Sequence, residues 1–196
     1  MSLGKYTLIS ILALTYTNLC LAAPEHHSKY SGQQKRLIKS LSKDDIQQLK
    51  SGKGWGLAKA AELNGVPGPL HLLQMKKEIS LSKQQEGKIL SLFNDMKEKA
   101  IPLGIKLVSL EKKLNTAFAN NTITNEILMQ QLAAIAKTRK ELRYVHLAAH
   151  LETPKIISAH QITKYNKLRG YGSGDPCKSI PKGHDIEMWK KHNDCK

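Results

Sequence analysis

The sequence predicts an all-α protein built on a long, bent, antiparallel helical hairpin with short helices flanking it. Three observations point there. Ile89, Phe93, Met96, Ala100, Leu103, Leu107, Leu110 and Leu114 recur at alternating steps of four and three residues, the unbroken seam of a helix that packs along its length. Leu128, Leu132, Ile135, Leu142, Val145 and Ala149 put an apolar face on a second segment, and Asn120-Asn121-Thr122 breaks the pattern between the two. Ser82 with Gln85, and Ser158 with Gln161, form S-x-x-Q capping boxes, the signature of a helix start.

Before the first helix, Lys5 is followed by an uncharged run from Tyr6 to Pro24, centred on Leu8, Ile9, Ile11, Leu12 and Leu14 and ending in Ala22 and Ala23. That is the pattern of a secretory signal peptide, residues 1–22, with cleavage expected after Ala22. The run is short and Thr-rich for a membrane span, and Leu19 stands where a lipobox at Cys20 needs a small residue. Export, to a periplasm, governs how the rest is read. Cys20 leaves with the leader, so the remaining Cys177 and Cys195 are expected to form a disulfide worth about 3 kcal/mol. The rival reading makes them a pair of thiolate metal ligands.

Charge is strongly one-sided, with 31 Lys and Arg against 16 Asp and Glu, or a net of about +14 once Lys5 is removed. In an exported chain without a nucleic-acid motif or an aromatic stacking platform, that excess points away from nucleic acid and towards acidic proteins or anionic lipid. Only 10 of 196 residues are aromatic, and the length suits one ordinary domain rather than a large catalytic fold.

Residues 23–40 lack periodicity and read as a flexible leader. Ser42, Asp44 and Asp45 start a short helix that Gly52 and Gly54 stop; a second brief helix covers Leu57 to Leu63, and Val66-Pro67-Gly68-Pro69 launches a third to about Glu78. The first long helix is expected over 83–118, with Pro102 and Gly104 bending it near 98–104, and the second from about Thr124 to Leu151, its seam interrupted by Arg139 and His146. After Thr153-Pro154, a helix runs from Ser158 to Leu168 and ends at Gly170. The helical domain is thus drawn as 41–172, followed by a tail, 173–196, with a last short helix from about Asp185 to His192. One thin stripe per long helix cannot enclose a core, so either the short helices fold back over the hairpin or two chains share their seams; a homodimer is the favoured expectation.

Leu81-Ser82-Lys83-Gln84-Gln85 and Ile157-Ser158-Ala159-His160-Gln161 each precede a helix and flank the hairpin. Together with Gly54-Trp55-Gly56-Leu57-Ala58, Ala61-Glu62-Leu63-Asn64-Gly65, Pro67-Gly68-Pro69, Tyr165 and Leu168-Arg169-Gly170-Tyr171, they resemble the twin L-T-x-x-Q signature of the Spy/CpxP superfamily of periplasmic chaperones and stress or heavy-metal sensors, over residues 55–172. Ser82 and Ser158 replace the usual Thr, and His160 stands where an acidic residue is common. The resemblance implies a hooked hairpin that dimerises into a cradle, without enzymatic activity, facing unfolded or acidic envelope proteins or metal ions and, in a sensing role, a sensor kinase. The hairpin from 83 to 150 carries 11 Lys and Arg and 6 Asp and Glu, and Lys97, Lys106, Arg139 and Arg143 are the expected client-binding cations. The competing reading is a solvated helix face.

Metal ligation is the alternative function. His146 and His150 are four apart on a regular helix, and His71 and Met75 repeat that interval before the hairpin. The resemblance implies ligands from these same two segments. Such a set suits nickel, cobalt, copper or zinc, although no cofactor is required. The plainer reading makes His146 a packed seam residue and His71 a cap or surface residue. His184, Met188 and His192, beside Cys195, offer a second set in the tail, and His26 and His27 a third. Catalysis finds no G-x-S-x-G, H-E-x-x-H or P-loop, and Glu111, Glu126 and Glu141 alternate with Lys as a wet helix face does.

Overall fold

The computed structural model describes residues 28–171, 177, 180 and 185–195. The expected signal peptide, His26, His27 and His184 lie outside the described residues. Two units divide at Gln34/Lys35. In the first, 28–34 make a tight turn, with the Ser31 amide donating to Ser28 O at 2.9 Å and the Gln33 amide to Tyr30 O at 3.0 Å.

The second unit is all-helical. α1 (Lys43–Lys50), α2 (Lys59–Glu62), α3 (Pro69–Gln74), α4 (Lys83–Ala119), α5 (Asn125–Glu152), α6 (Ala159–Leu168) and α7 (Ile186–His192) follow in order, and α4 and α5 are the two arms of the hairpin. The helix starts follow the capping chemistry: Ser42, Ser82 and Ser158 accept from the third helical amide while Asp45, Gln85 and Gln161 reach back to the cap amide, and Thr124 and Asp185 cap α5 and α7 by side chain. Among the described residues no helix is long and apolar enough to cross a membrane.

Within one chain, the short helices cover the hairpin. Ile38, Leu41, Leu49 and Leu57 pack with Ala100, Leu107, Val108, Ile135 and Leu142 into one apolar cluster; Leu72, Ile79, Ile89, Ile157 and Tyr165 form another. Of the two ways to close the core, folding back is therefore present in the single chain, and it draws in the end of the expected leader, where Ile38 is 1% exposed. The second seam also runs differently from its apolar reading. Thr138 takes the buried place, its hydroxyl satisfied by Ala134 O at 2.9 Å, while Arg139 is exposed.

α4 continues as one helix of 37 residues, about 55 Å, through Pro102. Pro102 and Glu98, whose carbonyl loses its usual donor, are both exposed. Gly104 has a packing role as well: α1 crosses α4 there so closely that a Cβ at 104 would stand 2.0 Å from Leu49 O. Only a residue without a side chain permits that crossing.

Candidate functional site

The two S-x-x-Q starts meet. Gln85 Nε2 donates to Gln161 Oε1 at 2.9 Å, and Gln161 Nε2 returns the bond to Gln85 Oε1 at 3.0 Å. Each Oε1 also accepts its own cap amide, from Ser82 at 3.0 Å and Ser158 at 2.9 Å, and each Nε2 also donates to a backbone carbonyl, of Ile156 at 3.0 Å and of Ser80 at 3.2 Å. Both amides thus use two acceptor and two donor positions, so the paired motifs form a clasp between α4 and α6 with nothing left unmatched. Leu81 and Ile157 pack into the second apolar cluster beneath it.

A cleft of about 720 Å3 is lined by residues within 51–71, by α4 and α5, and by the chain beyond α6. Glu62, 9% exposed, stands in its wall. Its Oε1 accepts from Tyr165 Oη at 2.5 Å, Arg169 Nε at 3.1 Å and Tyr171 Oη at 3.2 Å, and His71 Nδ1 lies 3.3 Å away. Burial pushes the carboxyl up, but the hydrogen bonds from His71 and Tyr165 and the neighbouring positive charge outweigh it and hold the pKa at about 2. Tyr165 is pushed far above its ordinary value, by burial first and by the carboxylate second. Among the described residues, Oε2 of the same carboxylate has no hydrogen-bond partner.

His146 is 4% exposed, its Nε2 has no hydrogen-bond partner among the described residues, and burial followed by the proximity of His150 lowers its pKa to about 4. It stays neutral at neutral pH. His150 works as a fastener: Nδ1 stands 2.8 Å from Val66 O, which makes it the donor, and the other edge of the ring presses on Gly68, where a Cβ would be 2.7 Å from Nε2. The adjoining Thr153 hydroxyl donates to Pro67 O at 2.6 Å. Trp55 adopts a φ of 42°, costly for a bulky side chain; its Nε1 donates to Asp45 at 2.8 Å and the Arg139 guanidinium stacks 5.1 Å from its ring.

His71, His146 and His150 all line this cleft, yet among the described residues no three His, Cys, Asp or Glu side chains are grouped to hold a metal ion. Within the expected ligand set, His71 is engaged by Glu62, His150 by Val66, and Met75 packs against the second apolar cluster. In the tail, Met188 and His192 are exposed, and Cys177 and Cys195 form the expected disulfide, with Cα atoms 5.5 Å apart. Of the expected client-binding cations, Lys97 borders the cleft, Arg139 is stacked on Trp55, and Lys106 and Arg143 are exposed on α4 and α5.

Sequence reasoning overlooked Glu62, Arg169 and Tyr171 as a group. A carboxylate flanked by Ala61 and Leu63 in a short helical segment was the available signal. No family model, curated protein or solved structure matches this chain.

Proposed function

We propose that the protein is a periplasmic, non-enzymatic envelope-stress protein that holds unfolded or acidic clients without ATP, as a chaperone or adaptor of the kind found in the Spy/CpxP superfamily it resembles. The observation that carries this reading is a second apolar stripe on α5. Met129, Ala133, Ala136, Tyr144, Leu147 and Leu151 fall within one narrow sector of the helix by their spacing, and Met129, Tyr144 and Leu151 are 69%, 70% and 65% exposed. Lys137, Lys140 and Arg143 lie in and beside that sector, all exposed. Core packing uses the opposite seam, through Ile135 and Leu142, so this stripe is surplus to the fold of one chain. Scattered exposed apolar residues are ordinary, but an aligned row edged by cations suits loose capture of chains that show both apolar and acidic groups.

The test is suppression of client aggregation, followed by light scattering, with the protein near equimolar to a thermally unfolded acidic client. Suppression should weaken several-fold between 50 and 500 mM salt, because the cations are screened. It should be mostly lost in a Met129→Ser, Tyr144→Ser, Leu151→Ser variant of unchanged helicity. Undiminished suppression by that variant rules the stripe out. A wild-type dimer that becomes a monomer in the variant, with no suppression by either, would assign the stripe to self-association instead.

A further inference from the structure

The cleft beside Glu62 has a composition that the holdase reading does not use. Trp55, Leu63, Leu70, Phe93 and Met96 line it, and Leu63 and Leu70 are 63% and 41% exposed although large and apolar. Lys53, Lys59 and Lys97 also border it, are exposed, and have no ion-pair partner among the described residues. The Lys97 ammonium is 6.0 Å from the Phe93 ring centroid, so one cation sits directly against the apolar wall. Of the acidic side chains, only Glu62 contributes to the lining among the described residues, and Arg169 already neutralises it at 3.1 Å. The remaining titratable groups lining the space are His71, His146, His150, His192 and Tyr171, none of them a carboxylate. The cleft therefore combines an apolar interior with an uncompensated positive border, and its volume lies in the range of small-molecule sites.

We propose that this cleft binds a single-chain amphipathic anion, an aliphatic carboxylate being the simplest member of the class. The chain lies along Phe93, Met96 and Leu70, and the carboxylate meets Lys53, Lys59 and Lys97. Charge complementarity selects this occupant over a cationic amphiphile, which would bring a fourth positive charge to the three lysines. It also selects it over a second copy of this chain, whose net charge is strongly positive. The proposal stands independently of the client-holding stripe on α5.

Octanoate, decanoate and laurate, each below its micelle concentration, are titrated into the purified protein by calorimetry, with decylammonium as the charge-reversed probe. Binding at one site is expected, with the Kd tightening about fourfold for each added methylene that is buried. Decylammonium should bind at least tenfold more weakly. A Lys53→Gln, Lys59→Gln, Lys97→Gln variant, altered only at exposed positions, should lose at least tenfold for decanoate while its unfolding midpoint stays put. A Phe93→Ser variant should lose affinity for all three chain lengths. Equal affinity for decanoate and decylammonium would overturn the proposal, as would an unchanged Kd in the triple lysine variant or no binding at all. Retention of client holding in a Lys53→Gln, Lys59→Gln variant that has lost affinity for decanoate keeps this site distinct from the α5 stripe.

Discussion

The clasp at Gln85 and Gln161 and the cleft at Glu62 and His146 are both places where polar side chains from distant parts of the chain meet within the fold, and they are built to opposite rules. In the clasp, each amide makes its full complement of hydrogen bonds, and removal of either partner strands the other. In the cleft, three donors and an imidazole converge on one oxygen of Glu62, while the other oxygen and His146 Nε2 have no hydrogen-bond partner among the described residues. An unmatched buried polar atom costs about 1–3 kcal/mol, so the cleft is kept at an expense that the clasp avoids. The contrast separates polar groups that are fully matched from polar groups that the fold leaves unmatched.

The sharpest way to break the comparison is at the clasp. Gln161→Leu should destabilise the protein by about 4 kcal/mol in urea unfolding, because it strands the Gln85 amide, the Ser158 amide and the Ser80 carbonyl together. The Gln85→Leu, Gln161→Leu double variant should cost clearly less than the sum of the singles, a coupling of about 1–2 kcal/mol. Additive losses would mean that the two amides are independent caps.

At the cleft, His146 carries the next effect. With its pKa lowered from 6.5 to about 4, the neutral ring contributes stability that is fully present above pH 6.5 and is lost as pH falls through about 4. The difference in unfolding free energy between wild type and His146→Leu should change by on the order of 3 kcal/mol across that window, with the leucine variant equal or better at pH 7.5. A difference that stays constant with pH would show that the imidazole titrates normally.

Glu62→Gln is expected to cost about 2 kcal/mol at pH 7, since an amide cannot hold Arg169 as a carboxylate does. Because the folded carboxyl titrates at about 2 rather than 4.5, its contribution is present above pH 4.5, and the gap between the two proteins should close as pH falls through about 2. Smallest is Gly68→Ala, about 1 kcal/mol, from the contact of the new methyl group with the His150 ring. In a His150→Ala background that penalty should vanish.

These contrasts also mark what a sequence makes legible. Local chemistry reads directly: Ser82, Ser158 and Asp185 open helices because a cap and its first turn are three residues apart, and the alternating seam of α4 is periodic along a single helix. The clasp does not read, although both its motifs do, because Gln85 and Gln161 are 76 residues apart and no local rule pairs them. Thr138 was passed over in favour of Arg139 because periodicity counts only apolar residues, while a hydroxyl bonded to its own helix can be buried at little cost. Gly104 reads as flexibility, whereas its purpose is set by the backbone of α1. The Glu62 group escapes for the same reason as the clasp, since Tyr165, Arg169 and Tyr171 lie more than 100 residues along the chain.

The central claim, that the outward stripe of α5 receives unfolded clients, is tested most directly by hydroxyl-radical footprinting with and without a permanently unfolded acidic polypeptide. The account predicts that Met129, Tyr144 and Leu151 lose reactivity on binding while the exposed Met188 of the tail keeps its own. Unchanged reactivity at all three positions under saturating client would contradict it.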